Sequence, residues 1–172
     1  MNEERSNNNS LKYGVDQNPN SNCFFLHSKN LSITWGEDNR YWRWSKIEET
    51  SDKVVDVAEL LEVCWLEVRG ELETRKLSPG TRYEVAFVIM MKEAATGWEA
   101  PVNVRLILPD GNKQEGKENL MKKPRGEWIE IPVGEFVASP EKSEEMKFSI
   151  YEHGGHWKRG LVVKGIAIRP KY

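Results

Sequence analysis

Tyr83-Glu84-Val85-Ala86-Phe87-Val88-Ile89-Met90-Met91 carries a large apolar side chain at every second position. Successive side chains of an extended chain point to opposite faces, so Tyr83, Val85, Phe87, Ile89 and Met91 share one face, and the stretch predicts a strand. Its continuous apolar part, Val85 to Met91, is far shorter than the about 20 residues a membrane-crossing helix needs, so no membrane span is expected. Working outward, the period of two recurs in Leu31, Ile33 and Trp35, and in Val63 and Trp65 with Leu66 and Val68 on the other face. It returns in Val102, Val104, Leu106 and Leu108, and in Met146, Phe148 and Ile150. Turn chemistry separates these runs at Ser78-Pro79-Gly80, Pro109-Asp110-Gly111 and His153-Gly154-Gly155-His156. Short strands so spaced predict an all-β fold, an antiparallel β-sandwich. Val54 to Leu61 is the one segment that could make a short helical turn, since Val54, Val57, Leu60 and Leu61 share a helical face. Gly111 to Gly126, polar and locally basic, reads as an exposed loop between strands.

The 172 residues suffice for one domain with its own core. Residues 1–22 are rich in Asn and Ser and too poor in apolar groups to offset ordering entropy, so a flexible tail is expected there and the domain over 23–172. Lys and Arg total 25 against 27 Asp and Glu, and the formal charge of -2 calls for no polyanionic partner. The N-terminus lacks the basic and then apolar regions of a secretory signal, and a cytosolic or nuclear location is expected. In that setting Cys23 and Cys64 read as thiols rather than a bridge, Cys64 buried in an apolar pattern and Cys23 exposed beside the tail. There is no Gly-rich phosphate loop, and the three histidines, His27, His153 and His156, form no cluster at metal spacing, which argues against phosphoryl transfer and zinc chemistry.

Seven tryptophans remain to be placed, three of them in Trp35-Gly-Glu-Asp-Asn-Arg-Tyr-Trp42-Arg-Trp44. Tryptophan suits a core or a stacking surface for a flat apolar ligand face such as a pyranose. Gly36 to Arg40 is polar and turn-forming, which puts Trp35 and Trp42 at the two lips of a loop. Trp44, Trp65, Trp128 and Trp157 sit in apolar strand or strand-end patterns and are expected mainly in the core. Trp98, in Ala94-Ala-Thr-Gly-Trp98-Glu-Ala-Pro101, either caps the sandwich or adds an exposed stacking surface.

The blocks Leu31-Ser-Ile-Thr-Trp35, Tyr41-Trp42-Arg43-Trp44, Val57 to Gly70, Leu77-Ser-Pro-Gly-Thr81, Trp128-Ile-Glu-Ile131 and His156 to Pro170 resemble the plant phloem lectins of the Nictaba (phloem protein two) family. The resemblance implies a jelly-roll-like β-sandwich that binds N-acetylglucosamine oligomers (chitooligosaccharides) and the chitobiose core of N-glycans, with no metal, no cofactor and no catalysis. It also implies a nucleocytoplasmic or phloem-sap protein, often a homodimer. Matching positions give Trp35 and Trp42 as stacking platforms and Glu152, then Glu145, as hydrogen-bond acceptors; Trp98 by its loop, His153 by the loop beside Glu152 and Trp44 by its place next to Trp42 are further candidate contacts. Two other readings stand beside it. A glycoside hydrolase would use Glu145 and Glu152 as acid and base, yet seven residues apart on one strand they face opposite ways. A structural or interaction protein would act through Cys23, or bind RNA through Lys113, Lys117, Lys122, Lys123 and Arg125, although Glu115, Glu118 and Glu127 interrupt that run.

Overall fold

The computed structural model describes residues 15–18, 23–50, 52–139 and 144–171. Twelve strands among them form two antiparallel sheets stacked as a sandwich. The first contains β1 (Val15–Asn18), β2 (Cys23–His27), β4 (Trp42–Thr50), β5 (Lys53–Leu60), β7 (Arg82–Thr96), β10 (Trp128–Val137) and β12 (Arg159–Pro170). The second runs in the order β3 (Ser32–Ile33), β6 (Leu66–Glu73), β11 (Glu145–Glu152), β8 (Val102–Ile107), β9 (Lys113–Glu118). β12 is the spine of the first sheet: β7 lies along one edge, while β2 and β5 share the other.

Alternation explains the second sheet. In β6, β8 and β11 the residues Val68, Leu72, Val104, Leu106, Phe148 and Ile150 are buried, and those between them face outward. Each such side chain gains about 1.5–3 kcal/mol by leaving water. β7 breaks the alternation because it is covered on both faces. Tyr83, Val85, Phe87, Ile89 and Met91 meet the inter-sheet core, while on the outer face Val55, Val57 and Val162 gather Ile47, Met90 and Trp128 into a second apolar cluster.

Two segments differ from expectation. Val54 to Leu61 is no helix: it is strand β5 to Leu60, paired with β4 from Val54 opposite Glu48 to Leu60 opposite Trp42, and with β12 at Ala58 and Glu59. Its apolar spacing fits either period, and backbone partners on both sides decide for the strand. Gly111 to Gly126 contains β9, which pairs with β8 at the sheet edge, and a 3₁₀ turn at Leu120–Lys122. Within the stretch expected as a tail, Val15–Asn18 is in register with β2, and the other residues of 1–22 lie outside the described residues. No helix is long and apolar enough to cross a membrane among the described residues.

Candidate functional site

Four loops, 34–41, 61–65, 97–101 and 153–158, meet at the end of the sandwich where β6 begins and β11 ends. Thr34 N–H donates to the Glu67 carbonyl (3.0 Å), Glu152 lies opposite Leu66, and Val63 and Lys158 exchange backbone hydrogen bonds. Gly97 joins them at φ +92, and any side chain there would meet the Trp157 carbonyl, a Cβ lying only 1.9 Å from its oxygen. Glycine is what lets loop 97–101 close on loop 153–158.

Three tryptophans stand out at this end: Trp35, Trp65 and Trp157 are 54 %, 48 % and 53 % exposed. Trp35 holds a positive φ of 66°, an outlier for so bulky a residue and a kind of strain that clusters at binding sites. Its loop is fastened twice. Asp38 N–H donates to the Trp35 carbonyl, and Trp44 Nε1 donates to the Gly36 carbonyl (2.9 Å) from beneath. The Tyr41 ring lies 5.9 Å from that of Trp35. Asp38 takes both guanidinium and backbone hydrogen bonds from Arg40, which hold its carboxyl down at about 2.

The 153–158 loop is built around a buried cation. Lys158 is fully buried, and its ammonium donates to the carbonyls of Cys64, Gly154 and His156 and pairs with Glu152 Oε1 at 2.9 Å. Four acceptors meet the requirement that a buried charge be both paired and hydrogen-bonded. Burial alone would raise the Glu152 pKa, but the Lys158 hydrogen bond, the Gly154 N–H and the charges of Lys158 and His156 bring it below the usual carboxylate range. Cys64 Sγ, half-buried, donates to the Gly155 carbonyl at 3.5 Å, and neither it nor Cys23 is in a disulfide.

From this end a groove of about 940 Å³ runs across the outer face of the second sheet. Its floor is the outward set of β6, β11 and β8, including Arg69, Glu71, Lys147, Ser149, Tyr151 and Arg105. At its mouth His153 stacks on Trp65 (centroids 3.6 Å apart, planes at 5°), and His153 Nε2 lies 2.8 Å from Glu67 Oε1.

The expected site residues therefore divide. Trp35 is exposed on the rim. His153, expected in a turn and as a further sugar contact, stacks on Trp65 and bonds Glu67 at the groove mouth, and Glu145 is exposed at the groove's far end. Trp42 is 1 % exposed and sits in the core, because β4 turns it inward opposite Leu60. Trp98 is also 1 % exposed and caps the sandwich, its Nε1 donating to the Arg159 carbonyl at 2.9 Å. Trp44 is half-buried under the Lys29 ammonium, 4.0 Å from its ring centroid. The Glu152 carboxylate is occupied by Lys158 and the Gly154 N–H. Trp65 and Trp157, expected in the core, are exposed because their strands begin one residue later, at Leu66, and two residues later, at Arg159. The basic run is largely committed: Lys117 donates to Asn103 (3.0 Å), Lys123 pairs with Glu118 (3.2 Å), and one Arg125 nitrogen caps the carbonyls of Lys92, Glu93 and Ala95. Among the described residues no three His, Cys, Asp or Glu side chains come together in a way that could hold a metal.

Comparison with known proteins agrees with this architecture. Residues 21–170 match the family model described as phloem protein 2. Phloem protein 2-like A1 of Arabidopsis thaliana is 48 % identical over 94 % of this chain, which spans 66 % of that relative. A lectin of Luffa acutangula is likewise 48 % identical, over 96 % of this chain and 78 % of its own length. Among solved structures, the insecticidal crystal protein Cry2Aa superposes on 91 % of the chain with a TM-score of 0.52 at 12 % identity, over 23 % of its own length, a likeness of fold alone. The chain belongs to the phloem protein 2 family.

Proposed function

We propose that this chain is a carbohydrate-binding protein whose ligands are N-acetylglucosamine oligomers, including the chitobiose core of N-glycans, bound without metal and without chemistry at the loop end of the sandwich. The observation that carries the reading is the trio of exposed tryptophans, Trp35, Trp65 and Trp157, on loops pinned by the Trp44–Gly36 bond and the Lys158–Glu152 pair. Isolated exposed apolar residues need no explanation, but three indoles at one end of a molecule mark a binding surface. Because the loops are already fastened, little ordering entropy is lost when a sugar stacks on them. That the similar Luffa protein is a lectin supports the same reading.

Trp35 is the platform we assign first, with His153 and Trp65 beside it. Beneath them the Glu152–Lys158 pair fastens the 153–158 loop, and the Trp42 backbone N–H donates to the Asp38 carbonyl of the loop that carries Trp35. A hydrolase reading fails on distance: Glu145 and Glu152 end one extended strand, about 23 Å apart at 3.3 Å per residue, where glycosidases need roughly 5–9.5 Å. The test is isothermal titration with N-acetylglucosamine trimer in EDTA, using the wild type and Trp35→Ala. Saturable heat that the substitution abolishes supports the reading; equal binding by both proteins removes Trp35 from the site, and no binding by the folded wild type removes the sugar.

A further inference from the structure

We infer that the open edge of β4 is an interface for a second copy of this chain: the two β4 strands pair antiparallel about Ser45, so that the first sheet runs on from one subunit into the other. The edge itself is the first observation. β4 spans Trp42–Thr50, and among the described residues only β5 pairs with it. Other edges are blunted. β3 has two residues, and β9 carries Gly116 in its middle. On β10, Pro132 and a bulge break the line, while the Gln114 side chain accepts from the Glu135 N–H and donates to the Glu135 carbonyl as a neighbouring strand would. A long, uncovered edge is a template for another strand.

The second observation is where the backbone groups of β4 point. The Tyr41 carbonyl accepts from the Leu61 N–H (2.8 Å), whereas the Trp42 N–H turns away from β5 to the Asp38 carbonyl (3.1 Å). These directions alternate along an antiparallel strand, so Arg43, Ser45 and Ile47 bond β5, and Trp44, Lys46 and Glu48 aim their N–H and C=O groups at the open side.

The third is self-complementarity. The regular stretch Trp42 to Glu48 lies between the 34–41 loop and the register shift after Glu48, and Ser45 is its midpoint. Pairing about Ser45 sets that small, exposed residue against its own copy, Trp44 against Lys46 of the partner subunit, and Arg43 against Ile47 of the partner subunit, one diagonal step from Glu49 of the partner subunit. A ring beside a cation and an arginine near a glutamate are favourable cross-strand neighbours. Moving the axis to Lys46 would instead bring two ammonium groups face to face. Because the strands run oppositely, the two Trp42 residues lie six positions apart, about 20 Å at 3.3 Å per residue, and the two Trp35 rims sit at opposite ends of the joined sheet. On the carbohydrate reading above, on which this consequence alone rests, the pair bridges two separate glycans rather than gripping one with both rims.

The experiment measures mass by light scattering over a range of protein concentrations for the wild type and Lys46→Pro. Proline at position 46 removes a donor from the open edge and no bond to β5. Mild oxidation of Ser45→Cys and Arg43→Cys, with the wild type as control for Cys23 and Cys64, tests the register. Facing Cα atoms at a position such as Ser45 are about 4.5 Å apart, within reach of a disulfide, whereas the two copies of Arg43 are four positions apart, about 13 Å. The wild type is expected at twice the chain mass and Lys46→Pro at the chain mass, with a native circular-dichroism spectrum and an affinity for N-acetylglucosamine trimer within twofold of the wild type. Ser45→Cys should become a disulfide-linked pair and Arg43→Cys should not. A wild type of single-chain mass at every concentration, a Lys46→Pro protein that keeps the double mass, or no preference for crosslinking at position 45 overturns the interface; if Lys46→Pro does not fold, the cysteine variants decide. A polymer carrying many trimers should be precipitated by the wild type and not by Lys46→Pro. A wild type of double mass that binds no trimer overturns the sugar reading and leaves the interface standing.

Discussion

Trp35 and Trp42 flank the same loop, yet one is 54 % and the other 1 % exposed. The floor and the rim of the loop end use one residue type for opposite purposes. On the floor, Trp42 is kept even though its Nε1 meets no acceptor among the described residues. Burying roughly 150–250 Å² of aromatic surface at about 25 cal/mol per Å² gains about 4–6 kcal/mol, against about 1–3 for an unpaired polar group. On the rim, Trp35 gains no comparable burial and is held at a strained φ. Position relative to the strand ends, rather than local sequence, decides which tryptophans stabilise and which are left to bind.

The sharpest way to break this comparison is on the floor. Trp42→Ala should lower unfolding stability in urea by about 3–5 kcal/mol, the range for a fully buried large aromatic; a loss under 1 kcal/mol would return Trp42 to the rim. Next comes the hub of the 153–158 loop. Glu152→Gln leaves the buried Lys158 ammonium without its counter-charge and should cost about 3 kcal/mol. Because the Glu152 pKa is lowered on folding, the pair's contribution is full above the ordinary carboxylate range. It disappears as pH falls through the folded value, so wild type and Glu152→Gln should converge in stability in acid and diverge toward neutral pH.

On the rim the effects shrink. Trp35→Gly and Trp35→Ala remove the same ring, but glycine also relieves the positive φ, so the glycine variant should be more stable by about 1 kcal/mol while both lose sugar. Equal stability would mean that Trp35 carries no backbone strain. Smallest is the Asp38–Arg40 clasp beside it: by NMR the Asp38 carboxyl should titrate near 2, and a midpoint near 4 would show the loop open in solution.

Much of the framework was legible in the sequence, and the reasons are local. β8 and β11 show period two because one face meets the core and the other faces outward, and β7 is legible from the large residues at every second position of its core face although its other face is covered as well. Val54 to Leu60 misled because its apolar residues satisfy both periods, and only the flanking β4 and β12 resolve them. Trp65 and Trp157 read as core residues in sequence because the apolar pattern runs on past the point where the strand itself begins. Lys158 was indistinguishable in sequence from solvated lysines, although its burial determines what Glu152 can do. The groove was invisible for a similar reason: alternating charged residues on a strand read as an ordinary wet face until the register places Arg69, Ser149 and Arg105 side by side.

The most direct test follows the indole N–H signals of the seven tryptophans in a ¹⁵N-labelled sample during titration with N-acetylglucosamine trimer. The signals of Trp35 and Trp65, assigned by single substitutions, should move to saturation while those of Trp42 and Trp98 stay fixed. Saturating shifts at Trp42 or Trp98 with Trp35 unmoved would contradict the division of floor from rim on which the whole account stands.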